Sequence, residues 1–258
     1  MRLFDTHAHM DDKSFRDDRE AVLKQARAAG VERIVNVGYD IPSSERSVRL
    51  AEDYPFIYAA VGIHPHDAAS VEEDTYEKLE QMAAHPKVVA IGEIGLDYYR
   101  DLSPRDRQRT VFVDQLALAR RLDKPVIIHD REAHGDIMAI LSKEGRGLSG
   151  VLHCFSGSRE MAQFCLDLGF YISLAGPVTY TNARGLLDIA RLVPRDRLLV
   201  ETDAPYLSPH PLRGRRNHSG NVALVAQKVA ELRGEDPEEL SEQMLRNGCA
   251  LFRIPFPS

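Results

Sequence analysis

Leu3-Phe4-Asp5-Thr6-His7-Ala8-His9 is a short apolar-led run that closes on two histidines. The same form returns along the chain. Residues 58–66 (YAAVGIHPH) end on His64 and His66, and residues 88–99 (VVAIGEIGLDYY) carry Glu93. Residues 125–130 (PVIIHD) carry His129, residues 150–155 (GVLHCF) carry His153, and residues 198–207 (LLVETDAPYL) carry Asp203. The intervals are multiples of one strand-plus-helix unit. Strand ends bearing nitrogen and oxygen donors in this series imply a metal centre at the mouth of a barrel, and therefore a hydrolase.

Working outward from these ends, strands are predicted at residues 2–5, 33–37, 57–62, 88–92, 126–128, 150–153, 171–174 and 198–201. Several are continuous aliphatic runs, as parallel strands buried on both faces require. Ser103-Pro104 predicts a helix start, with Ser103 as cap, for a helix running to about residue 122. Asp236-Pro237-Glu238-Glu239 predicts another, with Glu239 placed for a capping box. A helix is also expected over residues 221–233, after the loop SPHPLRGRRNHSGN. Alternating strands and helices over 258 residues fit an α/β fold of the (β/α)8 TIM-barrel type. A single domain over residues 1–258 is expected, with its metal site at the C-terminal mouth of the strands. An open doubly wound sheet competes, but DTHAH stands where its glycine-rich turn would follow the first strand.

Bulk properties exclude other classes. A net charge of −6 does not suit a protein that coats nucleic acid non-specifically, though a local basic patch beside a metal remains compatible. Three cysteines without CxxC spacing fit reduced thiols better than a disulfide scaffold. The start MRLFDTHAHM lacks the form of a secretory signal, and no run of about 18 apolar residues suggests a membrane span. A cytoplasmic protein is expected. Its oligomeric state stays open, and a monomer is compatible.

Side chains two apart on a strand share a face, so His7 and His9 can grip one cation. Asp5 shares their parity and is expected to orient a histidine. An isolated HxH would sooner hydrogen-bond nearby loops; the companion strand ends favour ligation. Glu93, flanked by Gly92 and Gly95, is costly to bury unless paired or ligated, which makes it a candidate bridge between two metals. His129 and His153 are candidate ligands, each with a hydrogen-bonded core histidine as the competing reading. Asp203 is placed both to bind metal and to act as general base, with Glu201 one layer deeper. Two divalent cations, with Zn, Mn, Mg, Fe and Ni not distinguished, would suit phosphoester hydrolysis by an activated water. His64 and His66 are assigned to substrate phosphate or leaving-group contacts. Arg131 could pin a phosphate or form a surface ion pair, and Arg213 belongs to a cluster with Arg215 and Arg216 that could do the same. His85, His134, His210 and His218 are taken as surface residues, and Cys154 as packed.

The segments DTHAHMDD, VGIHPH, GEIGLDYY, PVIIHDREA, HCFSG, ETDAPYLSP and RGRRN, with the closing NGCALF, together resemble the TatD family of metal-dependent deoxyribonucleases. The likeness spans essentially the whole chain. It implies a (β/α)8 barrel, one metal on His7, His9, Glu93 and Asp203, and a second on Glu93, His129 and His153. Where the family commonly continues RGRRN with a short residue and proline, this chain has His218-Ser219-Gly220, a departure that bears on substrate contacts. The resemblance implies hydrolysis of DNA or another phosphodiester, most simply as a 3′-5′ exonuclease. The alternative is an amidohydrolase-type enzyme acting on a cyclic amide, lactone or aminoacyl ester. Many such barrels bridge their metals with a modified lysine on the fourth strand, where this chain has Glu93.

Overall fold

Parallel strands need long return connections, and the amphipathic stretches between the aliphatic runs supply them as helices. The computed structural model describes residues 1–257. The chain runs β1 (Leu3–Ala8), α1 (Arg19–Ala28), β2 (Val31–Val37), α2 (Ile41–Asp53), β3 (Ile57–Val61), α3 (Thr75–Ala83), β4 (Val88–Asp97) and α4 (Arg105–Arg121). It continues through β5 (Val126–Arg131), α5 (His134–Glu144), β6 (Gly150–Leu152), α6 (Arg159–Asp167), β7 (Tyr171–Leu174) and α7 (Arg184–Leu192). After β8 (Leu198–Val200), a long loop leads to α8 (Val222–Arg233) and α9 (Pro237–Phe252).

The strands pair in chain order and in parallel from β1 to β8. Closure falls between the segment after β8 and the end of β1. Ala8 and Ala204 form a parallel bridge. The Asp203 amide donates to the His7 carbonyl at 2.9 Å and the His9 amide to the Ala204 carbonyl at 2.7 Å. The barrel expected from the sequence is therefore present, and the bonds that close it also set Asp203 beside the two histidines of β1.

One apolar cluster fills the barrel interior: Phe4, Val35, Val37, Val89, Ile127, Val151, Tyr171 and Leu199. Helix α9 seals its lower end with Leu245, Cys249 and Phe252. A second, larger cluster packs the outer strand faces (Ile34, Ile57, Ile172, Leu198) against helical residues such as Phe112, Leu116 and Val225. From the inner aliphatics, the alternating pattern climbs to the mouth: Ile127 leads to His129, Val151 to His153, and Leu199 to Glu201 and Asp203. An apolar floor thus carries a polar rim, with the donors at the C-terminal ends of the strands.

Several strand limits differ from those predicted. β1 continues through Ala8, β4 through Asp97 and β5 through Arg131, because polar residues here keep their backbone in the ladder while their side chains turn inward. Glu93 is therefore not the last residue of its strand. The β4–β5 register shifts between Ile91 and Ile94, across Gly92 and Glu93. A Cβ on Gly92 would lie 2.6 Å from that of Ile127, so only glycine allows the approach. Ser103 does not cap α4. Its hydroxyl instead donates to the His66 carbonyl at 2.7 Å and accepts from the Ala69 amide at 3.0 Å, tying together the loops after β3 and β4. Asp236 caps α9 as expected, accepting from the amides of Glu238 and Glu239 at 2.9 and 3.0 Å, but the Glu239 side chain does not reach back to complete a capping box. Among the described residues, no helix is long and apolar enough to cross a membrane.

Candidate metal centre

The side chains of His7 and His9 converge with their Nε2 atoms 3.3 Å apart. Asp203 Oδ1 lies 3.6 and 3.5 Å from these two nitrogens. Glu93 Oε2 approaches them at 3.4 and 3.8 Å. The other oxygen of Glu93 faces a different set: His129 Nδ1 at 2.7 Å, His153 Nε2 at 2.8 Å and His64 Nε2 at 3.4 Å. One buried carboxylate thus presents an oxygen to each of two imidazole groups. His7, His9 and Glu93 form one compact donor group, His7, His153 and Asp203 another, and His64, Glu93 and His129 a third.

Hydrogen bonds at the far ring nitrogens decide what His9, His129, His153 and His64 offer here, whereas His7 Nδ1 is buried with no such partner among the described residues. A neutral imidazole that donates through one nitrogen has a lone pair on the other. His9 Nδ1 lies 2.7 Å from the Val37 carbonyl, which can only accept, so in the neutral ring Nε2 is the lone pair, aimed at the carboxylates. His153 Nδ1 meets Glu201 Oε1 at 3.1 Å, and His129 Nε2 meets Asp97 Oδ2 at 3.2 Å. In the neutral rings their inward nitrogens are likewise the lone pairs, in the carboxylate–histidine arrangement that orients metal ligands. His64 is the opposite case. Its Nδ1 accepts from the His66 amide at 3.1 Å, so its inward Nε2 carries the hydrogen and acts as a donor.

This donor set fits divalent cations. In their neutral forms His9, His129 and His153 set lone pairs against carboxylate oxygens, a repulsion that a proton or a metal cation relieves; the neighbouring carboxylates raise all three imidazoles despite burial. Burial opposes ionisation of Glu93, yet the imidazoles of His153, His64 and His7 hold it well below the usual carboxylate range. Asp203 is also lowered, its burial outweighed by His9 and His7. His9 is raised to about 9 despite burial, through Asp203 and Glu93, so the pocket attracts positive charge at that point. Burial pushes His64 down to about 4, keeping it neutral at pH 7.

The structure brings His7, His9, Glu93, His129, His153 and Asp203 together as the sequence pattern suggested, with His64 beside them and 7% exposed. His66 stands further out, and its Nε2 is taken by Asp97 Oδ2 at 2.8 Å. Arg131 lies over the Tyr99 ring at 3.9 Å and Arg213 over Tyr180 at 4.5 Å, both outside the cluster. Neither forms an ion pair among the described residues, in contrast to Arg216, which is bound to Asp18 at 2.5 Å. Asp5 does not orient a histidine. Register shifts in β1 interrupt the alternation from Asp5 to His7, and both Asp5 oxygens accept from Thr202 instead, at 2.8 and 2.6 Å. Of the four histidines expected at the surface only His210 is exposed, while His85, His134 and His218 are half-buried, His85 beside Glu52 and His134 beside Asp130.

Sequence reading missed Asp97, which joins His66 to His129, although it shares the parity of Glu93 four residues earlier. It placed Glu201 on the right face without recognising it as the partner of His153. Asn217 was also overlooked: its amide donates to the Thr202 and Tyr206 carbonyls at 2.9 and 2.7 Å, shaping the loop that carries Asp203. Only its place in RGRRN hinted at it.

A parallel barrel with imidazoles and carboxylates converging at its C-terminal mouth defines a metal-dependent hydrolase of the TIM-barrel class. Residues 4–253 match the family described as TatD related DNase. The chain is 47% identical over 253 residues to the metal-dependent hydrolase YabD of Bacillus subtilis (strain 168), covering 98% of this chain and 99% of YabD. It is 39% identical to a protein of Citrobacter rodentium (strain ICC168) named 3′-5′ ssDNA/RNA exonuclease TatD, covering 99% of this chain and 100% of that one. The crystal structure of YJJV, a TatD homologue from Escherichia coli K12, superposes with a TM-score of 0.92 at 36% identity, covering 98% of this chain and 99% of YJJV. This chain belongs to the TatD-related DNase family.

Proposed function

We propose that this chain hydrolyses phosphodiester bonds at a nucleic acid end, as a deoxyribonuclease of the 3′-5′ exonuclease type, with two divalent cations per chain. The carrying observation is Glu93, whose Oε2 faces His7 and His9 at 3.4 and 3.8 Å while Oε1 faces His129 and His153 at 2.7 and 2.8 Å. His7, His9, Glu93 and Asp203 would hold one cation, and Glu93, His129 and His153 the other. Cations in these positions supply Lewis acidity to the attacking and leaving oxygens of an in-line displacement. Mixed imidazole and carboxylate donors suit Zn, Mn, Fe or Ni, while Mg favours oxygen.

Asp203 is the carboxylate that reaches the open side, with its side chain 15% exposed against 5% for Glu93. It accepts the proton of the attacking water. His64 donates its Nε2 hydrogen to a phosphate oxygen, and His66, Arg131 and Arg213 line the approach. The Citrobacter rodentium relative, by its name an exonuclease on single-stranded DNA and RNA, supports this substrate class.

Chelator-stripped protein should lose cleavage of a labelled DNA strand and regain it with a divalent cation; activity that survives complete chelation removes the proposal. Asp203→Asn should lower kcat by roughly 10²–10⁴-fold with a much smaller effect on KM, as expected for a group acting on the transition state. Cleavage of cyclic amides or lactones, with phosphodiesters untouched, would move the assignment to the amidohydrolase reading. The fourth strand, β4 (Val88–Asp97), contains no lysine and turns Glu93 to the centre instead, which weighs against that reading.

A further inference from the structure

Large apolar side chains are exposed at Tyr99 (63%), Leu102 (63%), Tyr206 (56%) and Leu207 (37%). All four lie just after the ends of β4 and β8. These strands stand half a circuit apart in the eight-strand order, so the two tyrosines occupy opposite sides of the mouth. A monomer gains nothing by leaving such residues open beside a polar cleft, and apolar surface concentrated there marks a binding site.

Each tyrosine is tied to the centre. The Tyr206 ring lies 6.2 Å from that of His9, inclined at 65°. The Tyr99 amide donates to Asp97 Oδ1 at 3.0 Å, and the other oxygen of Asp97 contacts His66 and His129. Arg131, paired with Asp97 across β4 and β5, places its guanidinium 3.9 Å from the Tyr99 centroid. That guanidinium has no carboxylate partner among the described residues, which leaves its charge available to a phosphate while its plane lies on the ring. An exposed aromatic face backed by a cation at Tyr99, and a second exposed aromatic face at Tyr206, beside a site that faces phosphodiesters, match the recognition of bases by stacking.

We propose that Tyr99 with Arg131 on one side, and Tyr206 on the other, are stacking platforms for the bases flanking the bound phosphodiester, so that the site selects strands whose bases are unpaired. Bases in a duplex present no free faces until they are unpaired and unstacked. This assignment rests on the phosphodiester reading above and gives it a substrate form.

The test is binding of fluorescent phosphorothioate oligothymidylate, and of an abasic strand of equal length, to the metal-loaded protein, read by anisotropy. Stacking contributes about 1–3 kcal/mol per base, or about 5–150-fold in affinity. The wild-type protein should prefer the base-bearing strand by at least about 5-fold per platform. Tyr99→Ala and Tyr206→Ala should each reduce that preference, their combination should abolish it, and Tyr→Phe at either position should retain it. An undiminished preference in the double alanine variant overturns the proposal. So does a wild-type protein that binds both strands equally, binds neither, or binds a blunt duplex as well as the single strand. Turnover of ordinary strands separates the two readings: tight, base-dependent binding without cleavage sinks the hydrolytic assignment alone, while cleavage without base preference sinks the platforms alone.

Discussion

A histidine has two ring nitrogens, and what one touches determines what the other can offer. His64 and His153 both point at Glu93 Oε1, at 3.4 and 2.8 Å, yet they differ in kind. The His66 amide occupies the outer nitrogen of His64 as a donor, whereas Glu201 occupies that of His153 as an acceptor. Metal analysis should therefore find His64→Ala still carrying two cations per chain, with its turnover lowered by roughly 10²-fold or more through a lost hydrogen bond to phosphate. His153→Ala should carry one. Loss of a cation from the His64 variant would reverse the assignment. None of this distinction is legible in VGIHPH or GVLHCF, where both histidines close an apolar run. The spacing identified donors that face the mouth, because alternation on a strand is local. It could not identify Glu201 or Asp97 as their partners, because those bonds join β6 to the end of β8, and β4 to β5.

At the scale of elements, the barrel depends on how α9 closes its lower end. Asn247 donates to the carbonyls of Arg195 and Leu198 at 2.7 and 2.9 Å, and Phe252 meets Phe4 with ring centroids 5.8 Å apart. Gly248 lies against the same ring, where a Cβ would stand 2.5 Å from Phe4. Gly248→Val should therefore cost about 1–3 kcal/mol in urea unfolding, as overpacked cores do, since both β1 and α9 are held by other contacts. A variant as stable as the parent would mean that α9 can shift off the barrel floor freely. Such an inter-element contact is invisible in NGCALF, although the helix itself was legible from Asp236-Pro237. The strands followed the same division. Aliphatic runs such as residues 171–174 were read with their true limits. β1, β4 and β5 run past their apolar signature, because they carry polar residues within the ladder, whereas the predicted limits at His153 and Glu201 fall one residue beyond β6 and β8.

Across the whole molecule, the charge balance sets how a strand can be held. The net charge is −6, and most arginines are already engaged, as Arg216 is with Asp18 and Arg253 with Asp123 at 2.6 Å. Among the described residues Arg131, Arg213 and Arg215 are exposed and form no ion pair, and the same holds for Lys13, Arg16, Arg100, Arg159 and Arg184 in the connections that follow other strands. Each neutralised phosphate of a single strand contributes about −0.7 to the slope of log affinity against log salt, so a strand held beyond the centre by Arg131, Arg213 and Arg215 alone has a slope of about −2. Stacking carries no such dependence. Titration of an oligothymidylate at fixed divalent cation over a range of monovalent salt should therefore give a shallow line. Arg131→Ala should flatten it further and lower affinity at every salt concentration. A steep slope, unchanged in that variant, would place the strand on a basic surface away from the barrel mouth.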